Sequence, residues 1–481
     1  MRQAAVISSL LSLTAAGLLA GCPDRTISEV DPLQGRVEAK DIPIKVNRDV
    51  DLLFLIDDSP SMGDKQTNLA KNFPDFINVL RSIQGGIPNV HIGVATSDLG
   101  SKGADGTIAT GFGNIGSGGC SGVGKAGNLQ PVKGASKVVP VPYIEDLAQP
   151  DGSRSRNYSN DTAVNSAELN TVFGQTATVG AGGCGFEQHL EAVKQALEPN
   201  NVANSGFLRD DAYLAVIIIA DEDDCSVAHA APFFVPDNTT IGPRQSFRCT
   251  RFGVLCDQGG ANTDAMNVVG GKSQCHPYDA SPYLTNVAGY AQFLKTLKTD
   301  PSKVIVAAIV GATEPFATEV RGNNNDHALA HSCTYVGNDG KPEVADPPIR
   351  TKFFLDQFPN RSTFASICQK DLSGGLQQIA DLLKSVIGDP CIEGKLKGPP
   401  YECSVSAKTN VGLATETETV LPACNAPDAT ATNQPCWHLP IDAVKCPNSD
   451  HLLLKIEGQD SLAQDTHIIA NCVTEVTNST P

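Results

Sequence analysis

Two segments of the sequence place oxygen-bearing side chains directly after an apolar run. In LLFLIDDSPSMGD (residues 52–64), the apolar residues are followed by Asp57, Ser59 and Ser61. In AVIIIADEDD, a run of valine and isoleucine leads to Asp221. Carboxylate and hydroxyl oxygens are hard ligands that suit Mg²⁺, Mn²⁺ or Ca²⁺ better than zinc or copper. These residue types therefore indicate a site for a divalent cation.

Four nearly continuous apolar runs predict the strands that would position these oxygens. The runs are VDLLFLI (50–56), VHIGVAT (90–96), AYLAVIIIA (212–220) and VIVAAIV (304–310). Apolar residues with helical spacing occur between or after them, at 69–80, 186–197, 283–297 and 372–386. Strands of this kind are buried on both faces, so we expect an α/β fold with a doubly wound, mostly parallel sheet flanked by helices. Ligands of such sheets bind beyond the carboxyl ends of the strands, where Asp57 and Asp221 lie.

The first segment resembles the signature of the von Willebrand factor type A (vWA) domain, whose metal-ion-dependent adhesion site has the pattern DxSxS after the first strand. Asp57, Ser59 and Ser61 match this pattern, and Asp221 matches a later acid that follows a central strand in the family. The resemblance covers roughly residues 48–388. It implies that these four side chains bind one cation, with Mg²⁺ preferred and Mn²⁺ or Ca²⁺ as alternatives. It also implies that a protein ligand offers an acidic residue to the metal, without catalysis.

One residue of the family pattern is missing. A threonine in a GGT context is expected before the third helix, but the matching segment GAGGCGFEQHLEA has Cys184 at that position. A disulfide-bonded Cys184, with Cys120 as the expected partner, could not donate a hydroxyl. A water molecule or Thr178 would then have to replace the threonine. A vestigial metal site in a structural envelope protein is therefore the alternative function.

Two further alternatives concern the segment around Asp57. Its serines and acids could simply cap a helix, because they satisfy free amides at a helix N-terminus. A haloacid-dehalogenase-type phosphatase also has an aspartate nucleophile after an apolar strand, with a second aspartate two residues later as general acid. This chain has Ser59 there, so a metal-dependent phosphohydrolase is the less favoured function.

The acids that follow Asp221 form a candidate second cation site. Glu222, Asp223 and Asp224 are consecutive, and their carboxylates could bind Ca²⁺ together. The alternative is that they are solvated on a loop, as clustered acids often are. Their positions in the structure distinguish the two.

The N-terminus has the layout of an export signal. Residues 1–21 combine a basic start, a short apolar stretch and small residues before Cys22. The ending LAGC resembles the bacterial lipobox, which implies that Cys22 is lipidated and anchors the protein to a membrane of the cell envelope. Pro23 replaces the aspartate that signals inner-membrane retention in enterobacteria, which favours the outer membrane.

Charge and cysteine content agree with an exported protein. The formal net charge of −17 disfavours nucleic acid as a partner. The chain has 15 cysteines, and fourteen remain when Cys22 is set aside. The sequence contains no CxxC pair, which would have suggested a zinc or redox site. We therefore expect up to seven disulfides, formed in an oxidising compartment.

Changes in composition predict the domain boundaries. A polar tether spans residues 22–47, and the vWA-like domain spans residues 48–388. This domain is expected to contain two long insertions, 99–180 and 222–280, which should be functional or stapled by disulfides. Six cysteines in the remaining residues, 389–481, predict a small disulfide-rich, β-rich module.

Overall fold

The computed structural model describes most of the chain. The predicted signal peptide, the predicted lipidation of Cys22 and part of the predicted tether lie outside the described residues. The described residues are 36–43, 48–83, 86–388, 390–392, 394–396, 398–411, 415–426, 430–443, 446, 450–463 and 466–474.

Strands and helices alternate through the first four-fifths of the chain, and strands follow. The strands are β1 Arg36–Pro43, β2 Asp49–Ile56, β3 Asn89–Thr96, β4 Tyr143–Ala148, β5 Arg154–Arg156, β6 Tyr213–Ile219, β7 Val254–Gln258, β8 Gly270–Pro277, β9 Val304–Val310, β10 Phe316–Arg321, β11 Asp326–Leu329, β12 Cys333–Val336, β13 Pro342–Ala345, β14 Ser362–Ser366, β15 Cys403–Thr409, β16 Thr417–Leu421, β17 Cys436–His438, β18 Lys455–Glu457 and β19 His467–Thr474. The α-helices are α1 Gly63–Arg81, α2 Glu168–Ala177, α3 His189–Leu197, α4 Ala230–Phe233, α5 Phe247–Gly253, α6 Val287–Thr296, α7 Ile349–Asp356 and α8 Ser373–Ile387.

A seven-stranded sheet organises the main domain. Its strand order is β14-β9-β6-β2-β3-β4-β5. The first five strands of this order run parallel, and β4 and β5 are antiparallel additions at one end. The four strands predicted from apolar runs are β2, β3, β6 and β9, so these predictions are confirmed. The protein is a mixed α/β structure built on a largely parallel sheet.

Side chains of the central strand β2 alternate between two apolar clusters. Leu52, Phe54 and Ile56 belong to the cluster that includes α1, α2 and α8. Leu53 and Leu55 belong to the cluster that includes α3, α6 and α7. Both faces of the sheet are therefore covered by helices, which is why its central strands lack the polar alternation of a half-exposed strand.

Helix α6, on the second of these faces, begins with a side-chain cap. The Asn286 side chain accepts a hydrogen bond from Ala288 N at 2.9 Å, and the residue is exposed. We expect Asn286→Ala to lower the free energy of unfolding by about 1 kcal/mol, because a free helix amide loses its partner. Asn286→Asp keeps the accepting oxygen and should change little. Denaturant unfolding measures both, and an unchanged midpoint for Asn286→Ala would contradict the cap's contribution.

The predicted insertion 99–180 is too long at its C-terminal side. Strands β4 and β5 extend the main sheet, and α2 packs against α1. These strands were not predicted from the sequence, because some of their inward-facing side chains are charged. Asp146 is 2% exposed and pairs with Arg154 and Arg156, both also buried. A buried ion-pair cluster removes the apolar run by which the other strands were recognised.

The segment predicted as the second insertion, 222–280, lies outside the main sheet. It contains α4, α5 and strands β7 and β8, which join β10 and β11 in a four-stranded sheet. Disulfides Cys225–Cys249 and Cys256–Cys275 staple it, as expected for a long insertion. The small sheet extends past the predicted boundary at residue 280, because β10 and β11 come later in the chain.

A second β-rich region follows the main domain. Its sheet has the order β1-β19-β15-β16, and β17 pairs with β18. Strand β1 pairs antiparallel with β19 from Arg36↔Thr474 to Pro43↔His467. Part of the predicted tether 22–47 is therefore a strand of this C-terminal sheet.

Seven disulfides join the fourteen cysteines that follow Cys22. The bond between Cys120 and Cys184 is confirmed, with 4.6 Å between their Cα atoms. The remaining bonds are Cys225–Cys249, Cys256–Cys275, Cys333–Cys368, Cys391–Cys446, Cys403–Cys472 and Cys424–Cys436. This number of disulfides indicates an oxidising, extracytoplasmic location. Among the described residues, none of the helices combines the length and the apolar character that crossing a bilayer requires.

Candidate functional site

The ends of strands β2 and β6 bring the two predicted acidic segments together. These strands are adjacent and parallel, with Ile56 paired to Ile219. Asp57 N continues the pairing by donating to Ile219 O at 2.9 Å. Asp57 and Asp221 therefore leave the sheet side by side at its carboxyl edge, and both are buried.

All four predicted metal ligands meet at this edge. The Ser59 and Ser61 hydroxyl oxygens are 3.1 Å apart, and Ser61 Oγ donates to Asp221 Oδ1 at 3.1 Å. Asp57 Oδ1 accepts hydrogen bonds from Ser59 N at 2.8 Å and from Ser97 Oγ at 3.2 Å. Asp57 Oδ2 is buried and has no hydrogen-bond partner among the described residues. The cluster thus contains an acceptor whose burial is uncompensated by a hydrogen bond.

The donor set fits a small, hard divalent cation in type and spacing. Adjacent oxygens in an octahedral Mg²⁺ complex are about 3.0 Å apart, because each lies about 2.1 Å from the ion. The Ser59–Ser61 and Ser61–Asp221 oxygen distances, both 3.1 Å, are close to this value. No group of three or more His, Cys, Asp or Glu side chains with metal-binding geometry occurs in the described part of the chain. The cluster at Asp57 is a different kind of candidate site from such groups, because it combines two carboxylates with neutral hydroxyls.

Lys65 is a member of this site that the motif did not reveal. Its Nζ lies 3.0 Å from Asp221 Oδ2 and 2.9 Å from Glu343 Oε2, and it donates to Ser61 O at 3.1 Å. Burial opposes the charged form, but Asp221 and Glu343 outweigh it, so the pKa of Lys65 is raised. The sequence feature that could have indicated Lys65 is its spacing from the motif. Lys65 comes four residues after Ser61, at the start of α1. Four residues are about one turn of a helix.

Glu187, Glu222 and Asp346 place three more carboxyl groups around Asp57 and Asp221. Burial and the charges of Glu222 and Asp57 raise the pKa of Glu187 well above its usual range. Burial and the charges of Asp346 and Asp221 raise the pKa of Glu222 to about 8. Burial and the charge of Asp57 raise the pKa of Asp221 to about 6. Burial and mutual repulsion therefore disfavour the charged forms of these carboxyl groups.

His189 lies on the inner side of the cluster. Its Nε2 is 3.7 Å from Asp57 Oδ2, and neither ring nitrogen has a hydrogen-bond partner among the described residues. Burial disfavours the charged imidazole, but Asp57 outweighs it, so the pKa of His189 is raised. Sequence reasoning missed His189 and Glu187, although both lie in the same GAGGCGFEQHLEA segment as Cys184.

Asp58 points away from this group, as expected for the residue between two converging side chains. Its carboxylate pairs with Lys125 at 2.7 Å. Burial raises the pKa of Asp58 to about 6 against the opposing charge of Lys125. Gly183 lies so close that a Cβ there would be 2.4 Å from Asp58 Oδ1. Asp58 thus fixes the segment that precedes Cys184 against the end of β2.

Two residues of the predicted second cation site, Asp223 and Asp224, make structural contacts. Asp223 accepts hydrogen bonds from the amides of Arg350 and Thr351 at 2.8 and 3.0 Å, at the start of α7. Asp224 pairs with Arg350 and also accepts from Leu190 N at 2.9 Å. Both carboxylates are thus engaged, whereas Glu222 is close enough to Asp221 for that charge to act on its pKa.

The position of the missing threonine is closed by the disulfide. Cys184 is bonded to Cys120, and its sulfur lies 3.4 Å from Gly100 O. Thr178 does not replace the threonine, because its exposed hydroxyl donates to Gly174 O at 2.9 Å within the end of α2. Thr178, the protein group expected as a substitute, is therefore engaged at the end of α2.

A cleft of about 710 Å³ connects the cluster with the surface. Ser61, Glu187 and the four acids from Asp221 to Asp224 are among the residues that line it. The loop residues 112–119, α5, β11 and β13 also supply residues to its walls. A ligand that enters this cleft would reach Ser61 and Asp221 directly.

Comparison with known proteins does not identify a family. No protein-family model matches the chain, and no curated protein matches it. Among solved structures, the protein BatB from Bacteroides thetaiotaomicron is 8% identical with a TM-score of 0.26, over 70% of this chain and 98% of that one. The pilus adhesin RrgA from Streptococcus pneumoniae is 11% identical with a TM-score of 0.26, over 93% of this chain and 60% of that one. The human coat protein Sec24c is 9% identical with a TM-score of 0.28, over 91% and 46%. Such low TM-scores establish neither a shared fold nor a shared function.

Proposed function

We propose that this chain binds a protein ligand through a divalent cation held at the carboxyl edge of a doubly wound, vWA-like domain. The proposed metal ligands are Asp57, Ser59, Ser61 and Asp221, and Mg²⁺ is the preferred ion. The observation that supports this most strongly is the row of closely spaced oxygens from Ser59 through Ser61 to Asp221. These oxygens come from segments separated by 160 residues. Helix capping does not account for this row, because the residues just before the first helical turns, Ser59 and Met62, form no capping hydrogen bond through their side chains.

The proposed role of the ion is recognition without catalysis. Two carboxylates balance the charge of a divalent cation, and together with two neutral hydroxyls they fill only part of its coordination shell, which leaves an open coordination position. An Asp or Glu side chain of a partner protein can fill that position. The cleft beside Ser61 and Asp221 gives such a side chain a path to the ion.

The proposed location is the bacterial cell envelope. Lipidation at Cys22 would anchor the protein to a membrane, and Pro23 favours the outer membrane over the inner one. The disulfides agree with an extracytoplasmic body, which the lipid would hold at the membrane surface.

A structural envelope protein with a vestigial metal site is the second candidate. Two observations favour it: the Lys65 ammonium already contacts Asp221, and Cys184 replaces the threonine of the family pattern. A metal-dependent phosphohydrolase is less favoured, because Ser59 stands where a general acid would be required and its hydroxyl is paired with Ser61.

Capture from envelope extracts tests the proposed function. With Mg²⁺ present, the immobilised protein should retain at least one protein that is released by a chelator, because the ion bridges the two molecules. The Asp221→Asn variant should retain none of it, since the site loses one of its two proposed carboxylate ligands. Mass spectrometry identifies the retained proteins. Identical sets with Mg²⁺ and with chelator would favour the structural candidate.

A further inference from the structure

We propose that Lys65 is an internal competitor of the divalent cation for Asp221 and thereby sets the cation affinity of the site. This inference rests on the proposed function, since it concerns the same ion. It adds a residue outside the DxSxS pattern that determines how tightly the ion is held.

The contacts of Lys65 place a positive charge on one of the proposed metal ligands. Its side chain is 1% exposed, and its Nζ contacts Asp221 Oδ2 at 3.0 Å. The other oxygen of the same carboxylate accepts the hydrogen bond from Ser61 Oγ at 3.1 Å. Lys65 also donates to Ser61 O at 3.1 Å. A cation that binds Ser61 and Asp221 must therefore approach a fixed ammonium group.

Lys65 has a second carboxylate partner outside the proposed coordination set. Glu343 Oε2 lies 2.9 Å from Nζ, and Glu343 is 21% exposed. It belongs to β13, which forms a hairpin with β12. When a cation takes Asp221, repulsion would move the ammonium away from it while the pair with Glu343 remains. Glu343 thus lowers the free energy needed to separate the Lys65 ammonium from Asp221.

The hairpin that carries Glu343 is firmly attached next to this site. The Tyr335 hydroxyl donates to Asp64 Oδ2 at 2.7 Å, and Asn338 N donates to Asp64 Oδ1 at 2.8 Å. The disulfide Cys333–Cys368 holds its other end. Asp64 directly precedes Lys65 on α1, so the helix start and the hairpin hold Glu343 in reach of the ammonium.

Two substitutions should change the cation affinity in opposite directions. Lys65→Met removes the competing charge, so the dissociation constant for Mn²⁺ should fall by about tenfold or more. Glu343→Gln removes the second partner of the ammonium, so Lys65 should hold Asp221 more strongly and Mn²⁺ should bind more weakly. Lys352→Met is the matched control, because Lys352 pairs with Asp356 on the surface of α7 and should leave the affinity unchanged.

Isothermal titration of the purified proteins with Mn²⁺ separates the possible results. Tighter binding by Lys65→Met and weaker binding by Glu343→Gln would support the competition. Equal affinities of wild type and Lys65→Met would overturn it and leave the proposed cation site intact. If neither the wild type nor Lys65→Met binds Mn²⁺, both the competition and the proposed function would be overturned. If Lys65→Met does not fold, the test rests on Glu343→Gln. Unchanged or tighter Mn²⁺ binding by that variant would overturn the competition.

Discussion

Asp57→Asn should abolish the stabilisation that Mn²⁺ gives to the wild-type protein. At a free cation concentration 100 times the dissociation constant, binding should add about 2.7 kcal/mol to the wild-type free energy of unfolding. The variant keeps the oxygen that accepts from Ser59 N and Ser97 Oγ but loses the anionic charge that holds the ion. Its melting temperature should therefore be the same with and without Mn²⁺.

The same substitution should stabilise the cation-free protein. In the wild type, Asp57 raises the pKa of the buried carboxyl groups of Glu187 and Asp221, after the larger effect of their burial. An amide at position 57 removes that repulsion, so cation-free Asp57→Asn should melt above cation-free wild type. A gain in stability on removing a charge is expected where a site is arranged for a ligand.

Asp58→Asn is the matched control for this prediction. Asp58 is the adjacent acid, and its carboxylate faces Lys125 instead of the serine hydroxyls. This variant should keep the stabilisation by Mn²⁺. Thermal unfolding of the three proteins with Mn²⁺ and with chelator gives the answer. A full cation response in Asp57→Asn would refute the role assigned to Asp57.

Arg350→Met should lower the free energy of unfolding by about 3–5 kcal/mol, because it leaves a buried carboxylate without its cation. The Arg350 side chain is 1% exposed, and its Nε and Nη2 donate to Asp224 Oδ2 at 3.1 and 2.9 Å. Nη2 also donates to Thr285 O at 2.9 Å. Among the described residues, the loss of this group would leave Asp224 with hydrogen bonds from Leu190 N and Ser226 Oγ.

Lys352→Met, on the same helix, provides the comparison for Arg350→Met. Lys352 is exposed and forms a surface pair with Asp356. Surface pairs of this type contribute about 0.3–0.5 kcal/mol, so its loss should be barely measurable. Urea unfolding of both variants measures the difference. A loss below about 1 kcal/mol for Arg350→Met would show that the Asp224 carboxylate is not buried as described.

The central sheet was predictable because four of its strands carry nearly uninterrupted apolar sequences. Burial by helices on both faces leaves no polar residue in the stretches Leu52–Ile56 of β2 and Leu214–Ile219 of β6, so the runs are conspicuous. Strand β4 lacked this signal because Asp146 is an inward-facing residue that pairs with Arg154 and Arg156. A pattern of apolar residues does not reveal a strand whose core partners are charged.

The two halves of the proposed site were predictable from local context. Asp57 and Asp221 each follow a buried parallel strand, and parallel strands end at a common edge. The pair Lys65–Glu343 joins residues separated by 278 positions, and no local pattern marks it. The same reason explains why the contacts of Asp223 and Asp224 were not predicted, because their partner Arg350 is a distant residue on α7. The sequence alone does not distinguish clustered acids that bind an ion from clustered acids that pair with an arginine.

The most direct measurement is anomalous diffraction from crystals of the protein soaked in Mn²⁺. We expect an anomalous peak bonded to carboxylate oxygens of Asp57 and Asp221 and to the hydroxyls of Ser59 and Ser61. The Lys65 ammonium should then have moved from Asp221 towards Glu343. A Mn²⁺ peak located elsewhere, or an Asp221 carboxylate that still holds Lys65 with no metal beside it, would contradict the central claim.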